Sequence, residues 1–232
     1  QRPRHLYVAA DGPRGEREGD IEKCKAARDV IQVDWECELH KLYQDENLGC
    51  GRGPAKAITW FFNHVEEGII IEDDCILSEQ GFRFYAEMLN KYRDNKVVGA
   101  ITATNLLLKW KSRKSSYFFA GPVSPTMGCW AGWKRAWSFF DYEIKKADRP
   151  FVESYINKNL KNSTITKYWK DIFSRFNNSD RNDVWDYQWH FARCLYFPFT
   201  IVSSVNLVSN IGFNEQATHT RSKSEIAELP LM

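Results

Sequence analysis

Gly68-Ile69-Ile70-Ile71-Glu72-Asp73-Asp74 is the stretch on which the reading of the fold turns. Three isoleucines in a row are typical of a strand buried on both faces, which predicts a mostly parallel central sheet flanked by helices. Upstream, Leu6 to Ala10 is a short β-prone run closed by the turn-rich Asp11-Gly12-Pro13-Arg14-Gly15. Asp20 to Val33 carries Ile21, Cys24, Ala27, Val30 and Ile31 at helical spacing, with Gly19-Asp20 as its start, and Cys37 to Tyr43 alternates as a strand does. Asn47 to Pro54 is dense in glycine and launches a helix through Ile58, Trp60, Phe61, Phe62 and Val65, with Pro54 in its first turn. Downstream, a helix over Gly81 to Arg93 and a strand over Val97 to Thr104 complete the alternation of an α/β domain.

After Leu106 the rhythm changes. A basic loop (Lys109, Lys111, Arg113, Lys114) leads to Tyr117-Phe118-Phe119, a Pro/Gly-rich turn and the aromatic stretch Cys129 to Trp137. Helical segments near Thr166 to Phe176 and Asp183 to Leu195, a β-like run over Phe199 to Val208 and a polar tail follow. The chain therefore divides at residue 106 into two halves of one domain, 1–106 and 107–232.

Composition bounds the function. The 232 residues include nine Trp, ten Tyr and fifteen Phe and are 43% hydrophobic, enough for a full core. With 32 basic and 30 acidic side chains the net charge is +2, too even to announce nucleic acid as a partner. An anionic ligand must then be held by local groups. No stretch reaches the ~18 consecutive apolar residues of a membrane helix. The six cysteines show no C-x-x-C pair and no zinc spacing, and read as reduced thiols of a cytoplasmic protein.

Three carboxylates at the end of an apolar strand repel one another and are costly without a cation. Ligands of open α/β sheets bind beyond the carboxyl ends of the strands, and hard divalent ions take carboxylate and phosphate oxygens together. Glu72-Asp73-Asp74 therefore points to a metal-bound diphosphate, the alternative being a solvent-facing cap of the next helix. Asp11 and Arg14 follow the first strand, Asp11 suited to a base or ribose and Arg14 to a phosphate, although D-G-P is also an ordinary turn. Asn47-Leu48-Gly49-Cys50-Gly51-Arg52-Gly53 precedes a helix, where backbone N–H groups favour an anion. It is neither a Walker loop nor a G-x-G-x-x-G fingerprint, which disfavours kinase and dehydrogenase readings. Trp130 and Trp133 suit a sugar-stacking platform, and core packing is the competing reading.

Taken together, A-A-D-G-P-R (9–14), N-L-G-C-G (47–51), I-I-I-E-D-D (69–74), C-W-A-G-W-K-R-A-W (129–137), W-D-Y-Q-W (185–189) and N-L-V-S-N-I-G-F-x-E-x-A-T-H-T (206–220) resemble the nucleotide-sugar glycosyltransferases of GT-A fold, more narrowly the bacterial relatives of N-acetylglucosaminyltransferase I. The resemblance implies a single GT-A domain with a donor-binding half over 1–106 and an acceptor half over 107–232. It implies that Asp74 binds Mn²⁺ or Mg²⁺, that Asp73 contacts the donor ribose, and that Glu72 is a donor-side partner. Asp11 with Gly12 and Arg14, and Asn47 with Gly49 and Arg52, would line the nucleotide. Trp185-Asp186 matches the segment bearing the catalytic base, with Asp183 as its rival, and His219 is placed at the diphosphate or metal. Trp130 and Trp133 become the acceptor platform and the basic loop a lid.

The implied reaction is inverting transfer of a sugar, N-acetylglucosamine being the leading choice, from a nucleoside diphosphate, most simply UDP, to a glycan or glycoconjugate hydroxyl. A carboxylate base and one cation suffice for direct displacement. The rivals are a sugar nucleotidyltransferase, which wants a basic glycine-rich loop at the first strand, and a non-catalytic sugar- or nucleotide-binding module of the same fold. The expected location is cytoplasmic, peripheral at most to the inner membrane face, and membrane association itself is left open. Relatives begin with a further strand and helix of roughly 30 to 40 residues, so the chain is expected to be part of something longer.

Overall fold

The computed structural model describes residues 2–108, 115–121, 128–144, 184–212 and 229–232, together with six isolated helical positions, Ser154, Asn157, Lys158, Lys167, Lys170 and Asp171. Its elements are β1 (His5–Ala10), α1 (Asp20–Asp29), β2 (Glu38–Tyr43), α2 (Gly49–His64), β3 (Glu67–Ile71), β4 (Cys75–Leu77), α3 (Glu79–Tyr92), β5 (Val98–Thr102), β6 (Tyr117–Ala120), β7 (Cys129–Trp133), α4 (Lys134–Trp137), α5 (Asp186–Tyr196), β8 (Phe199–Ser203) and β9 (Val208–Asn210). The result is a mixed α/β fold. Lys167, Lys170 and Asp171 are helical, in line with the helix expected near Thr166 to Phe176.

The five-stranded sheet runs in the order β3-β7-β5-β8-β6. It is mixed, which corrects the expectation of a mostly parallel sheet. Among the described pairings of this sheet only β5 and β8 run in parallel, while β3 with β7, β5 with β7, and β6 with β8 are antiparallel. The cause is β7, which returns between β3 and β5 and runs against both. The isoleucine run is also not a central strand. Among the described pairings β3 is an edge strand bonded only to β7, and Ile71 is 44% exposed. The strands buried along their whole length are V-G-A-I-T of β5 and C-W-A-G-W of β7.

Side chains of a strand alternate between faces, and β7 divides the core accordingly. Cys129, Ala131 and Trp133 join Phe84, Tyr85, Met88 and Leu89 of α3 on one face. Trp130 joins Ala55, Ile58 and Phe62 of α2 with Trp185, Trp189 and Ala192 on the other. Helices thus cover both faces. The buried positions of α3 (Gly81, Phe84, Tyr85, Met88, Leu89) form an i, i+3, i+4, i+7, i+8 stripe, and Ser78 caps the helix by accepting from the Gly81 N–H at 3.1 Å. Gly81 itself lies so close to Leu77 that an added Cβ would collide with it.

β1 and β2 pair in parallel as a separate two-stranded ladder, and β1 is half-buried rather than fully buried. The apolar stripe expected on α1 does not reach a core: Ile21 is 66% and Val30 76% exposed, and the helix ends at Asp29. Polar ties hold it instead. Arg28 donates to the carbonyls of Asp11 (3.0 Å) and Gln44 (2.7 Å). Pro54 lies inside α2 rather than in its first turn, because the helix already starts at Gly49. All six cysteines are free thiols. No helix among the described residues is long and apolar enough to cross a membrane.

Candidate functional site

Glu72-Asp73-Asp74 forms the turn between β3 and β4, at the sheet edge where β7 begins. The Glu72 N–H donates to the Gly128 carbonyl at 2.7 Å, and the Gly128 N–H returns to Glu72 Oε1 at 3.3 Å. This exchange turns the Glu72 side chain inward, while Asp73 stays exposed. Gly128 has φ +74° and no room for a Cβ beside the Cys75 thiol, so glycine is required there. On the other side β9 pairs with β4, and the Ile211 N–H donates to the Asp74 carbonyl at 2.8 Å. The Asp74 carboxylate lies against the Gly212 backbone, where any Cβ would strike it. Cys75, its thiol kept protonated by burial and by Asp74, donates to Asp74 Oδ1 at 3.4 Å.

Asp186 arrives from the far end of the chain. It opens α5, with Trp185 as N-cap, and that helix is docked by tryptophans. The Trp130 ring lies 5.3 Å from Trp189, 6.3 Å from Trp185 and 6.1 Å from Trp137, centroid to centroid. Trp130 is the second residue of β7, two positions after Gly128, so the cluster sets the start of α5 beside the acidic turn. Electrostatics registers that proximity. Burial first, then Asp74, Asp186 and Asp73 raise the Glu72 pKa to about 7, opposed only by the Gly128 N–H.

The donor set suits a hard divalent ion, since it offers carboxylate oxygens whose mutual repulsion a cation relieves. Among the described residues these carboxylates do not close on one point as a three-ligand cluster. They therefore fit a cation held by one or two protein oxygens and completed by other ligands, the usual habit of Mg²⁺ with phosphates. Asp74, its side chain fixed between Cys75 and Gly212, is the carboxylate whose position is most constrained.

The Asp11 loop behaves differently from its sequence reading. Asp11 Oδ1 accepts from the N–H groups of Gly12 (2.9 Å) and Leu48 (2.8 Å), and Oδ2 from Gly49 N–H (2.9 Å) and Asn47 Nδ2 (3.0 Å). A carboxylate has roughly four acceptor sites, and all are taken. Asp11 is thus the anion at the N-terminus of α2, binding β1 to the 47–49 loop rather than facing a base. Gly12 runs against the Glu46 backbone with no space for a side chain, and Gly49 adopts φ +75°.

Both arginines expected on the donor side are engaged within the protein. Arg14 grips Asp20 through Nε (2.9 Å) and Nη2 (3.1 Å), and that fork draws the buried Asp20 down to a pKa of about 2. Arg52 sits 3.3 Å from Glu143 and over the Tyr142 ring at 4.9 Å.

The chain matches no protein-family model and no curated protein.

Trp130 and Trp133 are corrected as an acceptor platform. They are 1% and 2% exposed and, three apart on a strand, lie on opposite faces in different core clusters. Asp183, His219 and the basic loop Lys109 to Lys114 lie outside the described residues. Gly128, Cys75 and Gly212, which shape the acidic turn, and Asn210, whose Nδ2 donates to Cys75 Sγ at 3.6 Å and whose Oδ1 accepts from the Gly212 N–H at 2.8 Å, were not singled out by the sequence. The signal available for Gly212 was its place in N-L-V-S-N-I-G-F, whereas nothing local marks Cys75 as a donor to Asp74.

Proposed function

We propose that the protein is a metal-dependent inverting glycosyltransferase of GT-A type, transferring a sugar from a nucleoside diphosphate to a carbohydrate hydroxyl. The observation that carries the reading is the meeting of Glu72-Asp73-Asp74 with Asp186, residues more than a hundred positions apart whose charges are felt together at Glu72. Asp74 would hold Mn²⁺ or Mg²⁺, which would supply the charge neutralisation that a leaving diphosphate needs, and Asp73 beside it would contact the donor ribose. Asp186 takes the proton of the acceptor hydroxyl as it attacks the anomeric carbon. Glu72, whose pKa burial and the neighbouring carboxylates raise, is the donor-side partner, and its protonated form can donate a hydrogen bond to a sugar or ribose oxygen. Asp11 and Asn47 act by holding the 47–49 loop rather than by touching the donor.

The test is calorimetric titration with a panel of nucleotide sugars, UDP-N-acetylglucosamine first, with and without Mn²⁺, followed by assay of hydrolysis and transfer. Activity should require the ion and vanish in Asp74→Ala, while Asp186→Asn should bind donor and fail to transfer. Full activity in chelator removes the metal assignment, and an unimpaired Asp186→Asn removes the base.

A further inference from the structure

Three of the five histidines of this chain gather at one end of the β1/β2 ladder, a sheet separate from those that carry the acidic turn. The register explains the grouping. His5 pairs with Glu38 and Tyr7 with His40, and with a period of two all four side chains occupy the same face. His5 Nδ1 lies 3.1 Å from Glu38 Oε2, and His40 Nε2 lies 3.4 Å from Glu38 Oε1. One ligand atom from each of His5, Glu38 and His40 falls within 4.8 Å of the other two. His40 Nε2 is buried yet makes no hydrogen bond, so its polarity is unsatisfied despite the neighbouring carboxylate. The His40 ring is held by stacking on Tyr7 at 4.3 Å and 9°. His64, 6.4 Å away ring to ring, is engaged through Nδ1 with the Trp60 carbonyl at 2.8 Å and stands outside the trio.

Two imidazoles and one carboxylate form a ligand set for a borderline divalent ion such as Zn²⁺, with metal–ligand distances of ~2.0–2.2 Å and hence ligand–ligand edges of ~3.3–3.5 Å in a tetrahedron. The 3.1 and 3.4 Å separations, one to each oxygen of Glu38, are of that size, and the trio as a whole lies within 4.8 Å, so a small closure of the exposed His5 and Glu38 side chains brings one atom of each onto the ion. We propose that His5, Glu38 and His40 form a transition-metal site of His₂Glu type, its fourth position open to water, which clips β1 to β2. The side chains of His5 and Glu38 are more than half exposed, so the ion enters from solvent without rearrangement of the core.

The experiment uses the untagged chain and ZnCl₂ in excess Mg²⁺, which occupies hard carboxylate sites. Isothermal titration should give one Zn²⁺ equivalent, weakened by ~10-fold or more in His5→Gln and in His40→Gln, and Zn²⁺ should raise the melting temperature of the parent but of neither variant. His5 is a surface residue, so that variant keeps the fold. Co²⁺ loading should give the visible bands of a nitrogen and oxygen site. No stoichiometric binding, binding unchanged in both variants, or a strong thiolate-to-cobalt band, which would place the ion on cysteine, overturns the assignment.

Discussion

Replacing Trp130 by alanine separates a core tryptophan from a sugar platform. The indole is 1% exposed and touches three further tryptophans and Phe62, with centroids 5.3 to 6.3 Å away. Burial of an aromatic side chain of ~200 Å² at ~25 cal/mol per Å² gives ~5 kcal/mol as an upper bound. Measured Trp→Ala losses in cores of ~3–5 kcal/mol agree. With a domain stability of ~5–15 kcal/mol, the variant should be marginal, and at ~2–4 °C per kcal/mol for a chain of this size its melting temperature should fall by ~6–20 °C. Trp130→Phe keeps a ring and removes an indole N–H that has no hydrogen-bond partner, so it should cost far less. Thermal and urea unfolding followed by circular dichroism measure both. A double-mutant cycle with Trp189→Ala should show coupling of ~0.5–1.5 kcal/mol, because these rings meet each other. Trp130→Ala within ~1 kcal/mol of the parent, combined with lost acceptor binding, would refute the reasoning and restore the platform.

Asp11→Ala should cost ~0.5–2 kcal/mol, as for a lost helix cap, and should speed amide hydrogen exchange at Leu48 and Gly49, whose N–H groups it accepts; unchanged exchange would remove its capping role. Gly212→Ala forces the Asp74 carboxylate aside, so Mn²⁺ affinity should fall while the urea midpoint, set mainly by the core, moves little. His190 is buried in α5 and its pKa lies well below the usual 6.5, by burial first and then by Arg193, which donates to Nδ1. Because the unfolded imidazole takes up a proton that the folded one refuses, this contribution is complete above pH 6.5 and erodes as pH falls below it. Melting temperature should therefore drop from pH 7 to pH 5 with a slope that His190→Gln reduces. Asp20 acts in a lower window: its folded pKa of about 2 against 3.8 means stability present above pH 3.8 and lost as pH falls toward 2, a loss that Asp20→Asn should no longer show.

Local pattern was enough for most elements, and the particulars show why. The i, i+3, i+4 stripe of Phe84, Tyr85, Met88 and Leu89 with Ser78 ahead of it writes a helix and its cap into adjacent residues. The alternation from Cys37 to Tyr43 and the apolar run from Leu6 to Ala10 marked β2 and β1 within a residue or two. Pattern misled where partners decide. α1 has a helical stripe with no core to cover it, and the isoleucines of β3 sit at a sheet edge.

The carboxylates of Glu72-Asp73-Asp74 stood out in the sequence, because charge placed after an apolar strand is a local, costly feature, whereas Asp186 was marked only by the resemblance carried by Trp185-Asp186. Their convergence was not legible, since it depends on the antiparallel return of β7 and on tryptophans from three segments meeting across it. The same holds for pairing. Asp11, Arg14 and Arg52 read as free ligand groups in one dimension, and only folding supplied Leu48, Asp20 and Glu143 to occupy them. Residue type and spacing thus dictated which groups carry charge and which stretches become helix or strand, because those follow from neighbours within a few positions. Strand order, the direction of pairing, and which charges remain available are long-range matters, settled by packing between segments that the linear chain keeps far apart.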